Sequence, residues 1–232
     1  MFDEFEEGMK KERERLVHHL WRRGYIKSRR VKEAMLAIPR HFFVPEHLLR
    51  DAYIDSPLNI GEGQTISAPH MVAMMAEELD IKKGEKILEI GGGSGYHAAI
   101  YGYLTGKGGM VVSIERIKVL VERAEKNLRD LKSYLQKRDI NIGEIKFIHG
   151  DGRFGYKEES PYHKISVACT AEEIPRALSE QLAEGGKMVI PVGSSLSFFG
   201  GQTLVSVEKR DGKLKKRDVC GVAFVPLREG TV

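Results

Sequence analysis

Near the N-terminus apolar residues recur at helical spacing, first Leu16, Val17, Leu20 and Trp21, then Val31, Met35, Leu36 and Ile38. This predicts two or three short helices before residue 50. Pro39 and Pro45 bracket His41-Phe42-Phe43-Val44, a stretch expected to be extended or turning with its aromatics buried. From Asp55 to His70, Pro57, Gly61, Gly63 and Pro69 occur with no sustained period, which reads as an ordered loop with the polar centre Gln64-Thr65-Ile66-Ser67. A helix is predicted over 69–79, with Ser67 placed to cap it and Pro69 in its first turn.

After Gly84 the pattern changes to short apolar runs separated by helical stretches. Strands are predicted at 87–90, 110–114, 145–148, 165–168 and 188–192, and helices near 96–104, 117–137 and 174–183. Non-alternating strands spaced by helices imply an α/β fold, a Rossmann-like doubly wound and mostly parallel sheet. Thr203–Glu208 and Val222–Val225 flank Arg210-Asp211-Gly212-Lys213, a hairpin signal that predicts antiparallel strands at the C-terminal edge. The chain is thus expected to place an N-terminal helical and loop segment, 1–80, on a cofactor-binding sheet domain, 81–232, as one unit. Its 232 residues agree with one domain plus an extra segment, at about 150 residues per domain.

Composition narrows the classes. No apolar run approaches the roughly 18 residues of a membrane span. The N-terminus alternates charges and has no secretory h-region, so a soluble, cytoplasmic protein is expected. Cys169 and Cys220 are far apart and outside any CxxC pattern, which points away from a disulfide framework or a cysteine zinc site, and no metal is expected. The net charge of +4 comes entirely from residues 1–50, with 12 Lys or Arg against 8 Asp or Glu; the rest balances at 25 against 25. Such a surplus on a helical segment reads as a solvated face rather than a nucleic-acid site. Glycine is more telling, at 25 residues against the usual 7% or so of a chain.

Four of those glycines form Gly91-Gly92-Gly93-Ser94-Gly95, directly after the strand Ile87-Leu88-Glu89-Ile90 and before an Ala-rich helix. Strand, glycine turn and helix make the nucleotide site of open α/β sheets. Backbone without Cβ atoms can approach a ligand there, and the helix start offers free N–H groups. A dinucleotide fits the loop alone. The acids around it favour another ligand: Glu115 ends the second strand, where a carboxylate takes ribose hydroxyls, and Glu89 and Asp151 are expected to converge on the same crevice. A pyrophosphate has no use for Glu89, whereas S-adenosyl-L-methionine, with its ammonium group and adenine, can use all three.

The segments Leu88–Tyr96, Val112–Arg116 and Gly150-Asp151-Gly152 resemble the cofactor motifs of class I methyltransferases. More narrowly, Ile38–Pro45, Asp55–Leu58, Gly63–Met71 and Ala223–Leu227 resemble the protein-L-isoaspartate O-methyltransferase family, in that family's order from about residue 12 to 228. Val167–Glu173 and His163 depart from the family's pattern around the fourth strand. The resemblance implies S-adenosyl-L-methionine as cofactor, held by Gln64, Thr65, Ile66, Ser67, Glu89, Gly91, Gly93, Gly95, Glu115, Asp151 and Gly152. It implies methyl transfer to the free α-carboxylate of isoaspartyl residues in damaged proteins, after which a succinimide forms and can reopen to aspartate.

Such a carboxylate is already ionised at neutral pH, so no general base is needed, and alignment with exclusion of water is the main demand. Ser67 is accordingly expected to orient the acceptor as a hydrogen-bond donor. His70 and Val222, the latter with the following residues to Leu227, are expected on the substrate side. A monomer without nucleic-acid or membrane partners is expected. The alternatives are a methyltransferase of another acceptor such as RNA, and a non-catalytic module that binds cofactor and damaged chains.

Overall fold

In a computed structural model, which describes residues 2–193 and 201–232, the chain opens with α1 (Phe2–Arg22) and α2 (Arg29–Ala37). Two helices thus form, as the predicted two or three allow, but the first is long rather than short. The charged first half of α1 supports helix through ion pairs one turn apart, Lys10 with Glu7 and Arg15 with Glu12. Leu16, Val17 and Leu20 form its buried stripe. Ser28 caps α2 by accepting the Val31 N–H. The proline-bracketed stretch is a 3-10 turn, Arg40–Phe43, followed by another at Glu46–Asp51. A fixed proline φ, here −71° and −58°, can lead into a tight turn as well as into extended chain.

The 55–70 segment also departs from the expected loop. It contains a hairpin of β1 (Leu58–Gly61) and β2 (Gln64–Ile66), turned by Glu62-Gly63 with φ of 53° and 67°. Two residues in the left-handed region match the twist of paired strands, and runs of four and three residues are too short to reveal alternation. Next, α3 (Pro69–Leu79) starts with Pro69 in its first turn as predicted. Ser67 is not its cap. Ala68 occupies that position without a side-chain bond, and Asp55 serves from a distance, accepting the His70 N–H and the His70 Nδ1–H, each at 2.9 Å.

The remaining elements are β3 (Lys86–Ile90), α4 (Tyr96–Thr105), β4 (Met110–Glu115), α5 (Lys118–Gln136), β5 (Glu144–His149), β6 (Tyr162–Val167), α6 (Arg176–Gln181), β7 (Leu182–Val192), β8 (Gln202–Arg210) and β9 (Lys213–Val222). Their sheet order is β5-β4-β3-β6-β7-β8-β9; the first five are parallel and the last two antiparallel. Ile87 and Val111 join one apolar cluster with residues of α1 to α5; Leu88, Ile90, Val112 and Ile114 join another with Leu178 of α6. The first cluster contains Leu16 and Leu79 as well as Ile100 and Leu204, so it crosses the boundary expected near residue 80. No helix among the described residues is long and apolar enough to cross a membrane.

The last hairpin forms where predicted, but its second strand is Lys213–Val222, not Val222–Val225. Asp211 and Gly212 have φ of 53° and 70° and pair Arg210 with Lys213, so the strand begins immediately after the turn. It is a largely exposed edge, where a charged run is tolerated and guards against further pairing. Helix α6 is shorter than the predicted 174–183, because the chain enters β7 at Leu182.

The capping assignment can be tested by denaturant melts. Asp55→Ala should lower stability by about 1–2 kcal/mol, and Ser67→Ala should change it by less than about 0.5 kcal/mol. The opposite order would return the cap to Ser67.

Candidate active site

β3 lies where the strand order reverses, and the crevice beyond its carboxyl end is where open α/β sheets hold ligands. The glycine turn leaves β3 while still bonded to its neighbour: the Gly91 and Gly92 N–H groups donate to the Ile114 carbonyl at 2.9 and 3.1 Å. Gly91 and Gly93 adopt φ of 84° and 53°, conformations an L side chain resists. A Cβ on Gly92 would overlap the Ser113 hydroxyl. Gly95, predicted at the cofactor, is not on the cleft wall. It precedes α4 with φ 87°, and a Cβ there would stand 2.9 Å from Phe147 Cζ, so it allows close helix–sheet packing.

The cleft above this turn measures about 820 Å³ including its open mouth. Gln64, Thr65, Ile66 and Ser67 at the end of the hairpin line one side; Glu89, Gly91, Gly93, Glu115 and Gly152 line the sheet side. The Ser67 side chain is half-buried and has no hydrogen-bond partner among the described residues. Arg123 of α5 donates to the Ile60 carbonyl and ties the hairpin down.

The three acids do not behave alike. Glu89 is fully buried; its Oε2 accepts the Ser113 hydroxyl and its Oε1 has no hydrogen bond among the described residues. Burial pushes its pKa up to about 8, opposed by the Ser113 bond and reinforced by Glu115. Glu115 braces the loop, accepting the Gly93 N–H through Oε2 and the Ile117 N–H through Oε1, both at 3.0 Å. Asp151 does not line the cleft. It caps the short turn Gly152–Phe154, accepts Arg153 through both oxygens, and accepts the Gly230 N–H at 2.7 Å. Those bonds, the Arg153 one foremost, hold its pKa down near 2. The expected convergence of three carboxylates is therefore two in the cleft and one at its rim, because a guanidinium two residues away claims the third.

His70 is likewise not on the cleft, being held by Asp55 and packed at 5.2 Å against the Tyr25 ring. Val222 ends β9 away from it, and the residues that line it are Val225 to Arg228. Thr170 holds that stretch, donating its N–H to Val225 and accepting the Leu227 N–H, and Gln202 makes two bonds to the Phe224 backbone. The departures from the family pattern have local partners: Thr170 is one, and His163 Nδ1 accepts the Lys86 N–H.

Sequence reasoning missed Tyr96, His97 and Cys169 as cleft residues. Tyr96 and His97 open the helix after the glycines, and that position was the available signal. Phe43 packs on Tyr96 at 5.3 Å, and the fully buried Arg40 lies 5.2 Å from its ring centre. Burial lowers the pKa of Arg40 to about 10, and burial together with Arg40 lowers that of His97 to about 3, so the imidazole is neutral. Burial raises that of the Cys169 thiol, which stays protonated.

A Cβ-free loop over a buried carboxyl oxygen without a hydrogen bond suits a ligand with a cationic group better than a pyrophosphate. Strand order, glycine turn and the Glu89–Glu115 pair define the class, methyltransferases built on a Rossmann-like sheet. A family model described as Protein-L-isoaspartate(D-aspartate) O-methyltransferase (PCMT) matches residues 10–231, and the chain belongs to that family. A protein-L-isoaspartate O-methyltransferase of Methanopyrus kandleri is 51% identical over 216 residues, covering 93% of this chain and 90% of its own. One from Methanothermobacter thermautotrophicus is 49% identical, covering 94% and 96%. A Plasmodium falciparum chain assigned to the same enzyme, solved with S-adenosyl-L-homocysteine, superposes with a TM-score of 0.79 at 32% identity, covering 92% of this chain and 96% of its own.

Glu89 gives this site a pH signature. Its folded pKa of about 8 lies above the ordinary 4.5, so the native state retains a proton that the unfolded chain has lost, and stability falls as pH rises through that window. Between pH 5 and pH 9 the ligand-free wild type should lose on the order of a few kcal/mol relative to Glu89→Gln. Urea melts of both proteins measure it; parallel curves would mean that Glu89 is not raised.

Proposed function

We propose that this protein uses S-adenosyl-L-methionine to methylate the free α-carboxylate of L-isoaspartyl residues in damaged proteins, the step that permits return to aspartate through a succinimide. The observation that carries the reading is one cleft lined both by Glu89, whose buried Oε1 has no hydrogen bond, and by Ser67, whose hydroxyl has no partner among the described residues. Family membership over residues 10–231 supports it.

When bound, the cofactor supplies an electrophilic methyl carbon on a sulfonium. The chain's part is binding, orientation and exclusion of water. Glu89 faces the ammonium group with its free oxygen, and Glu115 has lone pairs left for ribose hydroxyls beyond those that brace the loop. Gly91 and Gly93 let the backbone close on the ligand. Gly152 lines the adenine end, and Asp151 acts from the rim by fixing Arg153 and the Gly230 segment beside it. Gln64, Thr65 and Ile66 cover the cleft, and Ser67 donates its O–H to the acceptor carboxylate. That carboxylate, with a pKa near 4, attacks as an anion without a base; holding it in line can supply several kcal/mol.

The substrate's backbone is received along Val225–Leu227, with Val222 at the anchored end of that segment. His70 acts indirectly, by holding Asp55 against the start of α3. The protein works as a cytoplasmic monomer without nucleic acid or membrane. In support, charges of both signs pair on the N-terminal helices, as Lys10 with Glu7 and Arg29 with Glu33, and the exposed large apolar residues among the described ones, Phe5, Trp21, Ile54, Val119, Phe154 and Val232, are spread over five segments.

Transfer of labelled methyl to an isoaspartyl peptide, with the matching aspartyl peptide as control, tests the activity. Labelling only of the isoaspartyl form is expected. Equal labelling points to another acceptor chemistry, and binding of cofactor and peptide without transfer points to a recognition module. Ser67→Ala should lower kcat about 10- to 100-fold, the worth of one hydrogen bond to a charged group, while leaving cofactor affinity unchanged.

A further inference from the structure

Two buried polar atoms in the cleft lack partners, and they belong to neighbouring side chains on different elements. Glu89 Oε1 lies on β3 and His97 Nε2 in the first turn of α4; neither has a hydrogen bond. His97 Nδ1 stands 3.8 Å from Glu89 Oε1, outside hydrogen-bond range by less than 1 Å. Both residues line the cleft, with exposures of 0% and 6%. Burying unpaired polar atoms costs stability that an apolar residue at position 97 would avoid. The role given above to Glu89 makes no use of this imidazole.

We propose that His97 is a positioning residue, whose neutral ring donates to Glu89 and aims its free oxygen at the cofactor's ammonium group, setting the preference of the cleft for ligands that carry that group. The inference rests on the cofactor reading above. The geometry around the pair restricts both partners. The His97 ring stacks on Tyr101 with centroids 5.6 Å apart, and the Tyr101 hydroxyl is fixed by Ser166 at 2.8 Å, so the ring has little room to swing. Ser113 holds the other carboxylate oxygen of Glu89, which leaves Oε1 alone to face His97 and the cleft.

A neutral donor fits this task better than a cation. Lysine or arginine at position 97 would cancel the carboxylate charge that an ammonium ligand needs, whereas an uncharged N–H orients it and leaves the charge available. The charged and titratable groups that act on the pair are Glu115 from β4, Tyr101 from α4 and Arg40 from the 3-10 turn. Burial keeps the ring from taking up a proton, and Arg40, the cation among them, adds to it.

Titration calorimetry with S-adenosyl-L-homocysteine and with its deaminated analogue, which keeps the nucleoside, thioether and carboxylate, separates this role from a structural one. Wild type should bind the amino-bearing ligand more tightly. His97→Leu should weaken that ligand at least about tenfold, the usual worth of one hydrogen bond to a charged group, and leave the analogue within about twofold. His97→Asn, whose amide nitrogen can take the place of Nδ1, should restore most of the preference. His97→Phe, which keeps a ring, replaces the leucine variant if that one does not fold. Equal weakening of both ligands, or of neither, would overturn the role of His97 alone. Failure of the wild type to bind either ligand would instead strike the cofactor reading on which it rests.

Discussion

The site depends on a chain reversal made without leaving the sheet. At the end of β3 the backbone turns through Gly91 and Gly92 while both N–H groups still donate to Ile114 of β4. On the other side of the strand, the Ala168 N–H donates to Ile90 at 2.8 Å. The turn is thus pinned between two neighbours, and a side chain on Gly92 would collide with Ser113. Because Glu115 braces the Gly93 amide, the acid expected to meet the ligand also holds the loop that approaches it. Binding geometry and sheet geometry are here the same set of hydrogen bonds.

That arrangement places a carboxylate where water cannot reach it. Glu89 keeps one oxygen satisfied by Ser113 and leaves the other unpaired, so in this low-dielectric interior it holds a proton up to about pH 8 and gives it up most readily when a cation arrives. The surrounding groups do not supply one. Glu115 repels its charge, and the neighbouring His97 is kept neutral by burial and by Arg40. The site is thereby poised toward a cationic ligand at the cost of stability in the free chain, as is common where a fold carries chemistry.

The N-terminal segment supplies the opposite wall and its buttress. Phe43 and Arg40 press against Tyr96 in the first turn of the helix that follows the glycine loop. Arg123 reaches from α5 to the Ile60 carbonyl of the hairpin, and Asp55 locks the start of α3 through His70. Ser67 sits between these two anchors. Its hydroxyl is spared a capping role because Asp55 performs it, which leaves the hydroxyl available for an acceptor.

Much of this molecule follows from local pattern. The parallel strands were legible because buried β-strands are continuous apolar runs, and the glycine turn because left-handed backbone selects glycine. The last hairpin turn was visible in Asp211-Gly212 for the same reason. Glu89 and Glu115 could be placed at the cleft from their positions near strand ends. Side-chain direction and long-range competition were not legible. Asp151 is turned from the cleft by Arg153 and Gly230, Gly95 serves packing against Phe147, and His70 belongs to Asp55. The β1–β2 hairpin lay hidden because its strands are too short to display a period. Only the tertiary structure brought Glu89 and His97 within 3.8 Å, since seven residues and a chain reversal separate them in sequence, and the surroundings that set their chemistry come from elements as distant as Arg40 and Ser166.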